Sequence, residues 1–141
     1  MEKQECYLVV LSDEKLKPDI VALSYKADIM KILKKIIQTE ICEFVHPEKL
    51  DCSRFLMLVD ENSKLFDPPR GYVNVLASYL YGTEKHCDPI IGKAVIVKLI
   101  PEDFDYLTFE EAVEICEMLH PMIDTAYAHM TELFRTAKPT S

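Results

Sequence analysis

Cysteine and histidine, the residue types most often used for metal binding and nucleophilic catalysis, occur as spaced pairs in this sequence. Cys116 and His120 lie four residues apart, and Cys42 and His46 have the same spacing. On a helix this spacing places two zinc ligands on one face, but a structural zinc site needs four ligands. Neither pair has evident companions in the sequence, so we expect no metal site.

Adjacent histidine and cysteine residues occur once, at His86 and Cys87. A cysteine nucleophile needs a histidine base within hydrogen-bonding distance, and side chains of sequence neighbours often point apart. The sequence also lacks the GxSxG, P-loop, GxGxxG and HExxH motifs. It therefore predicts no catalytic residue and no cofactor, and it favours a protein that is not an enzyme.

All three glycines of the chain lie within residues 67–92, DPPRGYVNVLASYLYGTEKHCDPIIG. Residues 67–71 strongly favour a tight turn, because proline restricts φ and glycine tolerates positive φ. Asn74 is placed to cap a short helix, and Gly82 is placed to end it in the left-handed conformation. This stretch, called the glycine window below, is where the sequence predicts a ligand site.

A rigid turn that presents Arg70 and Asn74 beside tyrosine rings can form a polar and aromatic pocket. Arginine pairs with carboxylates or phosphates, and tyrosine rings stack on bases. In the alternative interpretation Asn74 only caps the helix, Arg70 is solvated and the tyrosines pack on the sheet. The predicted ligand-binding residues are Arg70, Tyr72, Asn74, Tyr79 and Tyr81.

The remaining periodicity predicts an α+β fold with a mostly antiparallel sheet, one early helix and a C-terminal helical segment. Residues 29–37 have helical apolar spacing, and Thr108 with Glu111 forms the capping-box pattern that begins the C-terminal segment. Pro121 is expected to break or kink this segment. The acidic residues near its start are interpreted as favouring the helix dipole. The predicted strands lie at 5–11, 19–23, 41–45, 54–59 and 93–100, the first two as a hairpin.

Apolar residues continue at helical spacing beyond Pro121, and this stripe needs a partner surface. The partner is either the sheet of the same chain or the same stripe on a second chain, and the sequence does not decide between them. We expect a homodimer or a higher homo-oligomer. The predicted interface residues are Met122, Ala126, Tyr127, Met130 and Phe134.

Composition narrows the class of protein further. The chain has 141 residues, five cysteines and a formal net charge of −8. This predicts a single domain over residues 1–141, with C-terminal helices at about 108–137, no disulfide framework and a cytoplasmic location without a membrane span. Direct nucleic-acid binding is disfavoured, since the one basic cluster is three lysines on the early helix.

Four segments of the chain resemble the domain-of-unknown-function 3846 family, which comprises small proteins often encoded by phages and other mobile elements. The resemblance covers about residues 54–115 and implies a shared fold and a mobile-element origin, which would place the protein in a host-cell cytoplasm. It implies no established reaction. The segments are DENSKLFDPP (60–69), NVLASYLYG (74–82), DPIIGKAVIV (88–97) and DFDYLTFEEA (103–112).

Two functional hypotheses follow from these observations. In the first, the chain is a non-enzymatic binding protein for a small, nucleotide-like ligand, by analogy with phage sponge proteins that sequester nucleotide immune signals. In the second, it is a protein–protein interaction module or host-factor inhibitor that acts through its acidic surface or its C-terminal helices.

Overall fold

The computed structural model describes residues 5–15, 17–24, 28–51, 53–61, 72–83 and 89–136. Side chains are described within these ranges except at residues 130 and 133–136. Four features discussed above lie outside the described residues: the turn at 67–71 with Arg70, the pair His86 and Cys87, the side chain of Met130 and the side chain of Phe134.

The described chain forms six strands and four α-helices. The strands are β1 (Glu5–Leu11), β2 (Pro18–Ser24), β3 (Cys42–Val45), β4 (Phe55–Asp60), β5 (Ala94–Ile100) and β6 (Asp103–Asp105). The helices are α1 (Ile29–Ile37), α2 (Val75–Tyr81), α3 (Phe109–Leu119) and α4 (Ile123–Thr136).

The strands form one sheet in the order β2-β1-β5-β4-β3, and β6 pairs with β5. Every pair of neighbouring strands is antiparallel. The β1–β2 hairpin has Val9 opposite Ile20, and β1 meets the central strand β5 with Val9 opposite Ile96. The α+β fold with a mostly antiparallel sheet, predicted from the sequence, is confirmed.

Helices cover both faces of the sheet, which explains the continuous apolar runs in β4 and β5. On one face, here called the three-helix face, α2, α3 and α4 bury residues such as Leu80, Ile115 and Ala126. On the opposite, single-helix face, α1 buries Leu33 and Ile37 against the sheet. Each large aliphatic side chain buried in this way contributes about 1.5–3 kcal/mol to folding.

The helix ends follow the local sequence. The Asp28 side chain caps α1 by accepting from the Met30 amide at 3.1 Å, and α1 ends at Gln38 with a left-handed φ of 63°. The capping box predicted for α3 is present: Thr108 Oγ1 accepts from the Glu111 amide, and Glu111 Oε1 accepts from the Thr108 amide. These bonds satisfy helix N–H groups that have no partner within the helix.

Pro121 lies in a 3₁₀ turn, His120–Met122, which joins α3 to α4. The turn accommodates proline because its ring and missing N–H are tolerated at the start of a new helical turn. The interruption predicted at Pro121, as a break or a kink, is therefore confirmed. After it α4 packs on α2, and Ala126 is completely buried.

The short strand β6 was not predicted from the sequence. It follows a tight turn in which Glu102 adopts a left-handed φ of 59°, and its residues Asp103, Phe104 and Asp105 lack the apolar run of the longer strands. Two aspartates in three residues have low strand propensity. Pairing with β5 supplies the stability that the local sequence lacks. None of the helices in the described ranges has the length and hydropathy needed to cross a membrane.

Candidate functional site

Asn74 lies in the interior of the protein, where its side chain joins three segments of the chain. Its Oδ1 accepts from the Ala77 amide at 3.0 Å and so caps α2. Its Nδ2 donates to the carbonyls of Leu11 at 2.7 Å and Gly92 at 2.9 Å. The side chain is 0% exposed. The cap predicted at Asn74 is confirmed, and the same amide also ties the end of β1 to Gly92, two residues before β5.

The tyrosines of the glycine window lie apart from one another. Tyr72 is 68% exposed, and its amide donates to Asp13 Oδ2 at 2.8 Å. Tyr79 packs edge-on against His129 with ring centroids 5.5 Å apart, and the Lys49 ammonium lies 4.5 Å from the centre of the Tyr79 ring. Tyr81 packs against the core of the three-helix face.

Neither of the two cavities described below is lined by Tyr72, Asn74, Tyr79 or Tyr81. Since Arg70 lies outside the described residues, ligand binding at this turn stays a prediction.

The predicted oligomer interface is partly covered within the chain. Ala126 is completely buried, and Met122 packs against the core of the three-helix face. Tyr127 is 54% exposed, so it is free to contact another molecule. Packing on α2 therefore provides part of the partner surface that the apolar stripe needs, and the oligomer stays a prediction.

The larger of the two described cavities lies where β1, β5 and β6 meet the start of α3. It is a cleft of about 430 Å³, within the range of about 300–1,000 Å³ typical of small-molecule sites. We call it the β1–β6 cleft. Its lining residues are Glu5, Cys6, Tyr7, Lys98, Asp105, Tyr106, Leu107, Thr108, Phe109 and Glu110.

The backbone builds this cleft by separating β1 from β5. Val9 pairs directly with β5, but two residues earlier Tyr7 pairs with Leu107. The Tyr7 amide donates to the Leu107 carbonyl at 3.0 Å, and the Leu107 amide donates back at 2.8 Å. The chain that follows β6 thus enters between the two strands, and the capping box then directs Phe109 and Glu110 to the rim.

Aromatic rings line the cleft. The rings of Tyr7 and Phe109 meet edge-on with centroids 5.3 Å apart, and Phe109 remains 51% exposed although it is a large apolar residue. Tyr106 is 7% exposed. Burial is the main cause that raises the pKa of the Tyr106 phenol, with contributions from nearby acidic groups. An exposed phenylalanine beside a cavity leaves apolar surface available to a ligand.

Negative charge predominates in the cleft. Three carboxylates line it, those of Glu5, Asp105 and Glu110, against the single ammonium of Lys98. That ammonium lies 2.9 Å from Glu111 Oε1, which neutralises it. Partial burial acts to raise the pKa of Glu111, but the hydrogen bonds from Thr108 and Lys98 outweigh it and hold this pKa below its usual range.

The negative charge of the cleft also affects the pKa of the Tyr7 phenol. Its hydroxyl donates to Glu5 Oε2 at 2.6 Å, and this hydrogen bond is the main cause that raises the pKa of Tyr7. Burial and the charges of Glu5 and Glu110 raise it further. The surroundings of Tyr7 therefore oppose an additional negative charge.

The cleft contains no arrangement suited to nucleophilic catalysis. Cys6 is buried and donates from its thiol to the Leu23 carbonyl at 3.4 Å. Burial, and then the charge of Asp105, raise the pKa of this thiol, which lowers its thiolate fraction and reactivity. No histidine is among the described residues that line the cleft, so none of them can act as a histidine base for Cys6.

The other described cysteines are free thiols too, Cys42 and Cys116. Burial is the main cause that raises the pKa of each, so neither is an activated thiolate. Within the described residues, no group of three or more His, Cys, Asp or Glu side chains is placed to hold a metal ion.

A second, smaller cavity of about 250 Å³ lies between the β1–β2 turn, the end of α1 and the start of β5. Two of its carboxylates, those of Asp13 and Asp60, already make internal contacts. Asp13 accepts from the Tyr72 amide, and Asp60, which is 9% exposed, accepts from the Thr39 hydroxyl at 2.7 Å. This cavity borders Gly92 and is thus the described hollow closest to the glycine window.

Sequence reasoning missed the β1–β6 cleft. The acidic residues around 102–111 were interpreted only as partners of the helix dipole. The available signal was the position of Phe109, a large apolar residue at the first position of a capped helix between acidic residues. Comparison with protein-family models, curated proteins and solved structures finds no match for this chain.

Proposed function

We propose that this chain is a non-enzymatic binding protein whose small-molecule ligand occupies the β1–β6 cleft. The observation that carries the proposal is a cavity of about 430 Å³ lined by aromatic rings and by ionisable side chains. Such a cavity offers apolar contact area for the body of a ligand and polar groups that orient it.

The proposal changes the place and the charge of the expected ligand. Three carboxylates and a paired lysine make the β1–β6 cleft unfavourable for phosphates, because the carboxylates repel a ligand of the same charge. A nucleotide-like ligand, as expected for a phage-type sponge, would instead need Arg70 and the glycine window. The β1–β6 cleft supports ligand binding without supporting that particular ligand.

A fragment screen by two-dimensional NMR tests the proposal. The screen uses a mixed set of cationic, neutral and anionic fragments and follows the amides of Tyr7, Leu107 and Phe109. We expect fragments to shift these amides together, and we expect Phe109→Ala to abolish the shifts. Tyr127→Ala, which removes another exposed aromatic ring outside the cleft, is the matched control and leaves them unchanged.

Two outcomes contradict the proposal. One is a screen in which no fragment shifts the amides of the cleft. The other is a set of shifts that persists in the folded Phe109→Ala variant, since binding would then occur elsewhere. Native mass spectrometry of protein purified from cells adds a second measurement, because a retained small molecule should be lost in the same variant.

A second candidate function, docking of a partner protein, is favoured by a pair of aromatic rings on the single-helix face. Phe44 of β3 is 49% exposed and lies beside Phe104 of β6 with ring centroids 5.4 Å apart. Within the described chain β3 pairs with β4 alone, so its outer edge is available to an added strand. An extended segment of a partner protein would fit this edge.

Phe44→Thr tests docking at β3, because threonine retains strand propensity and removes the ring. Capture of a binding partner should fall at least tenfold in this variant and remain unchanged in Tyr72→Thr, which removes an exposed ring outside β3. Equal capture by the two variants would exclude the edge of β3 as the docking site. Tyr127→Ala, which removes an exposed ring of α4 and leaves the buried Ala126 in place, separately tests the C-terminal helices.

A further inference from the structure

We infer that the ligand of the β1–β6 cleft is an organic cation, an ammonium group attached to a compact apolar body. This inference rests on the proposed function and names the chemical class of the ligand. It follows from the charges, the rings and the size of the cleft taken together.

The charge balance of the cleft favours a positive ligand. Glu5, Asp105 and Glu110 contribute three carboxylates from three separate elements. The positive charge of Lys98 is already directed to Glu111 at 2.9 Å. A cation that enters the cleft meets carboxylates on several sides, and although all three residues are exposed, their attractions for one ligand add.

The rings add an attraction specific to cations. Tyr7 and Phe109 form one wall and lie in edge contact with centroids 5.3 Å apart. An ammonium group within about 6 Å of an aromatic face is attracted to the negative face of the ring. Carboxylates beside aromatic rings are the combination that binds alkylammonium groups, since the rings also contact the methyl or methylene groups around the charge.

Bound anions are disfavoured by the same surroundings. The carboxylates of Glu5 and Glu110 contribute to the raised pKa of the Tyr7 phenol, which means that a new negative charge at this place is costly. A phosphate or carboxylate ligand would encounter that cost. A neutral molecule of the same shape would avoid it but would gain only the apolar contacts.

Choline and its neutral isostere 3,3-dimethylbutan-1-ol provide a matched pair of probes, because they differ in charge and hardly in shape. Adenosine monophosphate serves as the anionic probe. We expect choline to bind about tenfold more tightly than the isostere, as measured by calorimetric titration and by shifts of the Tyr7 and Phe109 amides. Adenosine monophosphate should not shift these amides.

Substitutions in the cleft separate the contribution of carboxylate charge to choline binding from that of the aromatic ring. Glu110→Gln should weaken choline binding about threefold, whereas Glu117→Gln, an exposed change on the same helix, should not alter it. Phe109→Leu preserves apolar bulk and removes the ring, so it should weaken choline binding severalfold and leave binding of the isostere unchanged.

Lys98→Met tests the sign of the charge on the ligand. Removing this ammonium should tighten choline binding about threefold, because the cleft becomes more negative. For an anionic ligand the same change would weaken binding. Thermal unfolding and circular dichroism of each variant establish that it is folded before its affinity is compared with that of the unchanged protein.

The outcomes distinguish this inference from the proposed function. If the isostere or the nucleotide binds the cleft as tightly as choline, the inference is overturned and the ligand-binding function stands. If choline does not bind but other fragments shift the cleft amides, the inference is again overturned. If no fragment of any charge binds, both the inference and the proposed function fail.

Discussion

Asn74 and the β1–β6 cleft illustrate two ways in which polar groups are used in this molecule. The Asn74 amide is completely buried, and its two polar atoms make three hydrogen bonds within the chain. In the cleft, carboxylates and aromatic rings face a cavity of about 430 Å³. Asn74 uses its bonding capacity internally and contributes to stability. In the cleft, Glu5 and Asp105 each accept one hydrogen bond within the chain, from the Tyr7 hydroxyl and the Tyr106 amide, and the carboxylates keep further acceptor capacity for a ligand.

This difference shows that a turn-forming sequence predicts internal hydrogen bonding as readily as it predicts a binding site. Glycine, proline and asparagine cluster where the backbone must turn, and the buried end of such a turn needs its polar groups satisfied. Substitutions at Asn74 should therefore affect stability strongly, and substitutions in the cleft should affect binding strongly but stability little.

The largest expected effect on stability is that of Asn74→Ala. The change removes the cap of α2, worth about 1 kcal/mol, and leaves the buried carbonyls of Leu11 and Gly92 without their donor, at about 1 kcal/mol each. We expect a loss of about 3 kcal/mol in the free energy of unfolding, measured by urea denaturation. The stability of Asn74→Ser, which can still cap the helix, should lie between those of the unchanged protein and of Asn74→Ala.

If Asn74→Ala proved as stable as the unchanged protein, the structural role assigned to the Asn74 amide would be wrong. The contrast with the cleft would then disappear, and a ligand role for Asn74 would regain support.

A smaller effect is expected at the other end of α2. Gly82 has a φ of 92°, and an added Cβ would lie 2.6 Å from Glu48 Oε2. Gly82→Ala should cost about 1.5 kcal/mol, because L-residues are strained in the left-handed region. The matched change is Gln38→Gly at the end of α1, where a non-glycine residue has a φ of 63°; it should stabilise by about 0.5 kcal/mol.

Urea denaturation of both variants checks whether Gly82→Ala lowers the free energy of unfolding and Gln38→Gly raises it. Stabilisation by Gly82→Ala, or marked destabilisation by Gln38→Gly, would show that backbone conformation does not control these helix ends.

Glu114 of α3 is paired with Arg54, whereas Glu110 of the same helix lines the cleft. Substitution of Arg54 therefore tests what a paired carboxylate contributes to stability. The Arg54 guanidinium donates to both oxygens of Glu114 at 2.6 and 2.8 Å and is the main cause that holds the pKa of Glu114 below its usual range. A lowered carboxyl pKa contributes stability above the unfolded value of about 4.3, and this contribution is lost as pH falls through the folded pKa.

Arg54→Gln should therefore lower the urea midpoint modestly at neutral pH, since the ion pair is largely exposed. The difference from the unchanged protein should shrink as the pH falls below about 4. Lys31→Gln, which removes an exposed lysine of α1, is the control and should show no such narrowing. A difference that stays constant down to pH 2 would contradict the role assigned to this pair.

The smallest effect on stability is expected for Glu110→Gln in the cleft. Glu110 is exposed and lies in the first turn of α3, where a negative charge favours the dipole modestly. We expect a change of less than about 0.5 kcal/mol in thermal or urea unfolding. A loss as large as that of Asn74→Ala would mean that the cleft carboxylates hold the fold together, and the contrast between the two regions would fail.

Much of the fold was predictable because its signals are local. The apolar runs of β1, β4 and β5, the Asn74 and Gly82 ends of α2 and the capping box at Thr108 each depend on a few neighbouring residues. The outcome at Pro121 was left open between two helices and one kinked helix, since a single 3₁₀ turn satisfies either pattern.

The cleft was not predictable for the opposite reason. Glu5, Lys98 and Glu110 are far apart in sequence and meet only because the chain after β6 enters between β1 and β5. That entry depends on β6, whose residues Asp103–Asp105 have no local strand signal. Sequence patterns could therefore indicate the acidic residues and the aromatic residues without showing that they share a cavity.

By itself the sequence determined where the chain turns, which segments pair or coil, and that the protein is strongly acidic, because backbone preference and hydrophobic periodicity act over a few residues. The tertiary structure decided which polar groups are satisfied internally and which face a cavity. That distinction depends on contacts between distant segments, and only the packed sheet with its helices brings those segments together.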